Sequence, residues 1–220
     1  MKQIRKVVIL EKIYKDVFFA IIRADSQETA AQIARLLIQE GLTSLEISLN
    51  TPGAIDVIKT LAEEYKHQDV LIGAGTVLNA TMANLVIQAG GKFVVSPTLD
   101  FDVIKAGNRY SIPVIPGIAT PTEIIRAMEA GADVVKAFPS EALGHEFIES
   151  LHGPLPNARV IPVGGITIDS IPSWLDSGAY AIGVGSNLTH DKGKIADEEV
   201  IRQKIRVILD NIREERDKRI

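Results

Sequence analysis

Cysteine is absent from this chain. Disulfides, thiolate metal sites and cysteine nucleophiles are excluded together. Histidine is scarce. His67, His145, His152 and His190 are scattered, with no HxH or HExxH spacing to suggest a metal site, and they read as ordinary surface residues. Tryptophan occurs once, as Trp174, and is assigned to packing. No apolar run reaches membrane-spanning length. The opening MKQIRKVVILEKIYKD does not read as a signal peptide, because its apolar run at 7–10 is short and is broken by Glu11 and Lys12. The expected location is the cytoplasm, away from membranes. An excess of positive charge is also missing. The net charge of -4 argues against a general nucleic-acid binder.

What is present is a core-forming composition. Hydrophobic residues make up 46% of 220 residues and charged residues 24%, which suits one large-cored domain spanning 1–220. Buried-strand patterns fall at 17–22, 43–49, 70–72, 93–96, 112–116, within ADVVKAFPSE (132–141), at 160–163 and at 179–184. A leading helix is expected over 2–15. Helices follow the strands at 26–40, from Thr51-Pro52 to 66, from Asn79 to Gly90-Gly91, at 101–108, from Thr120 to Gly131, and at 145–151, 168–177 and 198–218. Asp25 with Glu28 reads as a capping box, and Thr51 as an N-cap with Pro52 at the first helical position; Asn79 reads as a cap, and Asp100 and Asp102 as a helix start. Eight strands alternating with helices predict a parallel α/β fold, a single (β/α)8 TIM barrel with an N-terminal helix. A doubly wound open sheet is the runner-up. Against it, no G-x-G-x-x-G turn follows the first strand.

The stretch 132–141 organises the chain. Alternation puts Val134, Lys136 and Phe138 on one strand face and Val135 and Ala137 on the other, and Pro139 ends the strand. A lysine on a buried strand is costly unless it is paired or neutral. Desolvation lowers its pKa, and a lowered lysine can attack a carbonyl to form a Schiff base. In a barrel of this kind the C-terminal ends of the strands build the site. Those ends carry Arg23, Glu46, Asn50, Thr76, Ser96-Pro97, Pro116, Lys136, Phe138, Gly164-Gly165 and Gly185-Ser186. Glu46 lies on the polar face of its strand, with Lys136 in the same interior. Schiff-base chemistry needs such a pair, one group to attack and one to move protons. A buried Lys–Glu pair kept for stability alone is a poor stabiliser, which favours function. The two glycine turns after the seventh and eighth strands suit an anion held by backbone N–H groups.

At these residues the chain resembles the 2-keto-3-deoxy-6-phosphogluconate aldolases, also known as 4-hydroxy-2-oxoglutarate aldolases, with the related 6-phosphogalactonate aldolases. The carriers are LEISLNTP (45–52), GAGTVLN (73–79), SPTLD (96–100), IPGIATPTE (115–123), VKAFPSE (135–141) and PVGGIT (162–167). The resemblance implies a class I aldolase without a cofactor or metal, usually a homotrimer. It would cleave a phosphorylated 2-keto-3-deoxy sugar acid to pyruvate and glyceraldehyde 3-phosphate. By motif position, Lys136 is the Schiff-base lysine and Glu46 the general acid/base. Thr76, Pro97 and Phe138 would line the pyruvate end. Gly164, Gly165 and Ser186, beside Gly185, would hold the phosphate. The gluconate pattern has arginine where Asn50 stands and threonine where Val163 stands. Galactonate-type members share LN and the valine, so the substrate stays open between the two epimers. Arg23 is the expected replacement cation for the pyruvate carboxylate. A sugar-phosphate epimerase, or a silent sugar-acid-phosphate sensor, would not need Lys136.

Overall fold

A computed structural model describes residues 3–219. The chain opens on α1 (Arg5–Asp16); residue 2 of the expected leading helix lies outside the described residues. The strands are β1 (Phe18–Ile22), β2 (Ser44–Ser48), β3 (Leu71–Gly75), β4 (Val94–Val95), β5 (Val114–Ile115), β6 (Gly117–Ile118), β7 (Val135–Ala137), β8 (Val160–Pro162) and β9 (Ile182–Val184). A short antiparallel hairpin follows, β10 (His190–Asp191) and β11 (Lys194–Ile195). The helices between them are α2 (Gln27–Gln39), α3 (Ala54–Glu64), α4 (Ala80–Gln88), α5 (Phe101–Arg109), α6 (Pro121–Glu129), α7 (Ser140–Leu143), α8 (His145–Leu151), α9 (Ile171–Asp176) and α10 (Ser186–Thr189). The chain closes on α11 (Glu198–Asn211) and α12 (Arg213–Arg219).

The fold is α/β with parallel strands in a curled sheet. One sheet has the order β5-β4-β3-β2-β1-β9, and a second has β6-β7-β8. All of their strands are buried along their length, as expected of parallel strands covered on both faces. β5 and β6 are parts of one run split at Pro116, whose carbonyl accepts the Lys136 N–H at 2.8 Å. At the other edge a single parallel bridge joins Val163 to Gly183. Registry sets Glu46 beside Ile21 and Gly73, and Lys136 beside Gly117 and Ile161. Deep in the core, the rings of Phe19 and Phe93 meet edge to face at 5.8 Å. α1 is tied to the start of β2 through buried Asp16, which accepts from Lys12, Thr43 and Ser44.

Helix starts follow the sequence signals at three places. Asn79, Asp100 and Thr120 each accept a backbone N–H from the first turn of the helix they precede. Two starts differ. Ser26, not Asp25, caps α2, accepting the Thr29 N–H at 3.1 Å. Thr51 does not cap α3, because its buried hydroxyl accepts the Ala24 N–H at 3.1 Å; α3 begins three residues later, after Gly53. The expected last helix is two, divided at Ile212. The third strand runs on through Gly75, where the sequence reading ended it at 72.

Candidate active site

A cavity of about 660 Å³ opens at the C-terminal ends of the parallel strands. It draws on both sheets, Ile21, Arg23, Glu46, Thr76 and Pro97 from one side and Lys136, Phe138 and the turn after β8 from the other. Lys136 is only 5% exposed and Glu46 only 2%. The Lys136 amine stands over the Phe138 ring, 4.4 Å from its centroid.

Two buried groups of opposite tendency share this space without a salt bridge between them among the described residues. Glu46 Oε2 is buried with no hydrogen-bond partner. Burial pushes the Glu46 carboxyl up to about 7, against the pull of Lys136 and then of Arg23. Burial likewise lowers the Lys136 amine below the ordinary lysine range; Glu46 opposes this and Arg23 adds to it. Both shifts act in the same sense, each favouring the neutral form of its group over what it would be in water, which suits an amine that must attack and a carboxyl that must move protons.

Local backbone chemistry makes the room. A Cβ on Gly75 would sit 1.5 Å from Glu46 Oε1, so only glycine lets β3 pass beneath that carboxylate. Thr76 follows in the left-handed region at φ 59°, strained for a β-branched residue, and its hydroxyl meets Ser48 Oγ at 3.0 Å. Beyond Lys136, buried Ser140 donates to the Ala137 carbonyl and accepts the Val163 N–H, each at 2.9 Å. That pins the end of β7 to the turn carrying Gly164 and Gly165, which take φ 94° and 74°. Gly185 and Ser186 line the same cavity after β9.

Among the predicted residues, Arg23, Glu46, Thr76, Pro97, Lys136, Phe138, Gly164, Gly165, Gly185 and Ser186 all line the cavity. The Arg23 guanidinium has no hydrogen bond or ion pair among the described residues. Asn50 is not brought to the cavity. It is exposed and lies in a separate shallow hollow with Leu49, Met82 and Leu85, because the chain turns outward after Ser48. Ser96 is buried, and Pro116 lies in the neighbouring run beside the Lys136 strand; neither lines the cavity. The sequence reading missed Gly75, Ser140, Glu141 and His190. Glu141 and His190 line the cavity, so His190 is not the ordinary surface residue expected. The Gly73-Ala74-Gly75 alternation was the available signal for Gly75; nothing in the sequence signalled His190. Among the described residues, no group of three or more His, Cys, Asp or Glu side chains is placed to hold a metal ion, and no helix is long and apolar enough to cross a membrane.

A parallel α/β sheet with a buried amine and a buried carboxyl at its C-terminal rim has the build of a carbonyl-active enzyme. Comparison with known proteins narrows the class. The family model described as "Aldolase: KDPG and KHG aldolase" matches residues 9–205. The 2-dehydro-3-deoxy-6-phosphogalactonate aldolase of Escherichia coli (strain K12) is 36% identical over 170 residues, 77% of this chain and 82% of that protein. The 2-dehydro-3-deoxy-phosphogluconate aldolase of Pseudoalteromonas atlantica is 38% identical over 163 residues, 74% of this chain and 75% of that protein. The KDPG aldolase of Legionella pneumophila, with pyruvate captured at low pH as a covalent carbinolamine intermediate, superposes with a TM-score of 0.77 at 27% identity, covering 91% of this chain and 95% of that one. The chain belongs to the KDPG and KHG aldolase family and is a carbon–carbon lyase.

Proposed function

We propose that the protein is a class I aldolase cleaving 2-keto-3-deoxy-6-phosphogluconate to pyruvate and glyceraldehyde 3-phosphate, with 4-hydroxy-2-oxoglutarate as a further substrate. The observation that carries this is the buried Lys136 amine sharing one cavity with the partnerless Glu46 carboxyl. The neutral amine adds to the C2 carbonyl, and loss of water leaves an iminium. Glu46, as carboxylate, takes the C4 hydroxyl proton as the C3–C4 bond breaks. The electron pair of that bond moves into the enamine, and the aldehyde leaves. Glu46 returns a proton to C3, and water releases pyruvate and regenerates the amine.

In this reading Arg23 holds the pyruvate carboxylate, supported by its unpaired guanidinium beside Glu46 and Lys136. Thr76, Pro97 and Phe138 line the pyruvate end. Gly164, Gly165, Gly185 and Ser186 take the phosphate through backbone N–H groups and one hydroxyl. The two sheets act as a single closed (β/α)8 domain, a reading supported by the continuity through Pro116 and the bridge from Val163 to Gly183. The working form is a cytoplasmic homotrimer. Leu78, Leu85 and Phe101 are exposed apolar side chains available for such contacts.

The galactonate epimer is the second reading, favoured by Val163 in the cavity lining and by Asn50 in place of arginine. Cleavage assays with both epimers side by side decide between them. Faster pyruvate release from the gluconate-derived acid is expected. A reversed preference would move the assignment to the galactonate epimer, and no release from either would overturn the aldolase reading.

A further inference from the structure

His190 opens the β10–β11 hairpin directly after α10, the short helix that Gly185 precedes and Ser186 begins, and it lines the cavity with them. Its backbone is held from two sides. Lys204 on α11 donates to the His190 carbonyl at 2.7 Å, and the Ala196 N–H bonds the Thr189 carbonyl at 3.0 Å. Its ring is fixed at one nitrogen only, where Nδ1 meets the hydroxyl of fully buried Thr189 at 2.9 Å. Nε2 has no partner among the described residues.

Either protonation pattern leaves Nε2 able to donate. In the neutral ring the Thr189 hydroxyl donates to Nδ1 and the proton sits on Nε2. In the charged ring Nδ1–H donates to Thr189, whose own proton turns to the Gly185 carbonyl, and Nε2–H is again free. The charged groups around the ring are Arg23 and Asp25 beyond β1 and Lys204 on α11, two cations to one acid. Burial and then Arg23 lower the imidazole pKa, which favours the neutral ring with its proton on Nε2, facing an incoming anion as a hydrogen-bond donor.

The geometry points to His190 as a specificity residue that contacts the phosphoryl group of the substrate through Nε2. This rests on the aldolase reading above and adds to it a side-chain donor at the aldehyde end. The role depends on Nε2, whereas a purely structural role would depend on Nδ1 and Thr189. Two substitutions separate these. The amide of glutamine reaches the Nε2 position, and that of asparagine reaches the Nδ1 position.

The test is steady-state cleavage by the full-length enzyme and by His190→Gln and His190→Asn. Each is assayed with the phosphorylated keto-deoxy acid and with its dephosphorylated counterpart, and melting curves confirm folding. Loss of one donor to a charged group predicts that His190→Asn raises KM for the phosphorylated acid by about tenfold or more relative to the dephosphorylated one. His190→Gln should recover most of that ratio. An equal KM change on both substrates, recovery by asparagine in place of glutamine, or no change in either variant would overturn the inference. Failure of the wild-type enzyme to release pyruvate at all would instead overturn the aldolase reading.

Discussion

At Glu46 a single side chain links burial, acidity and stability. A carboxyl buried with one oxygen unpartnered is costly when charged, which is why its pKa rises to about 7 from an ordinary 4.5. The folded chain therefore binds more protons than the unfolded chain between those values, and stability falls as pH rises through that interval. Glu46→Gln removes the penalty. Urea unfolding should find the variant more stable than wild type above pH 7, by on the order of 1–3 kcal/mol, with the gain fading by pH 5. The same change should abolish cleavage. In the wild type the base form of Glu46 is required, so kcat/KM should fall on the acid side of an apparent pKa near 7. Burial raises that value and Lys136 beside it pulls it back, with burial prevailing. A flat profile through pH 6–8 would contradict the role given to Glu46.

Elements position these groups, and β3 shows how. Gly75 gives its side-chain space to the Glu46 carboxylate, and Gly73 gives its own to the Phe93 ring. Gly75→Ala would force the carboxylate aside by more than an ångström, a displacement that costs about 100-fold in rate when reacting groups are misplaced. We expect at least that loss in kcat in a chain that still folds; near-wild-type turnover in Gly75→Ala would show that the carboxylate position does not matter. Elements were legible in the sequence where their signals are local. Asn79, Asp100 and Thr120 cap the helices that follow within three residues, so pattern alone located them. Thr51 misled because its partner, the Ala24 N–H, is 27 positions away. That Lys136 and Glu46 share one cavity was legible because both stand on strands whose C-terminal ends converge. Asn50 sits one turn past its strand, where alternation no longer sets direction. His190 belongs to a hairpin too short to carry a pattern.

Across the whole molecule, Lys136 and Glu46 belong to different sheets, one on β7 and one on β2. Their meeting depends on the continuous run through Pro116 and on the bridge from Val163 to Gly183, so the site is a property of the assembled chain. α1 with its buried Asp16 anchors the opposite end. The Lys136 and Glu46 side chains are both almost fully buried, and that burial is what lowers the Lys136 amine below the ordinary lysine range. The most direct measurement is reduction of the enzyme with borohydride in the presence of pyruvate, followed by peptide mass analysis. Inactivation is expected together with a reduced pyruvyl adduct on the peptide containing Lys136, and no adduct in Lys136→Ala. An adduct on another lysine, or full activity after reduction, would contradict that expectation.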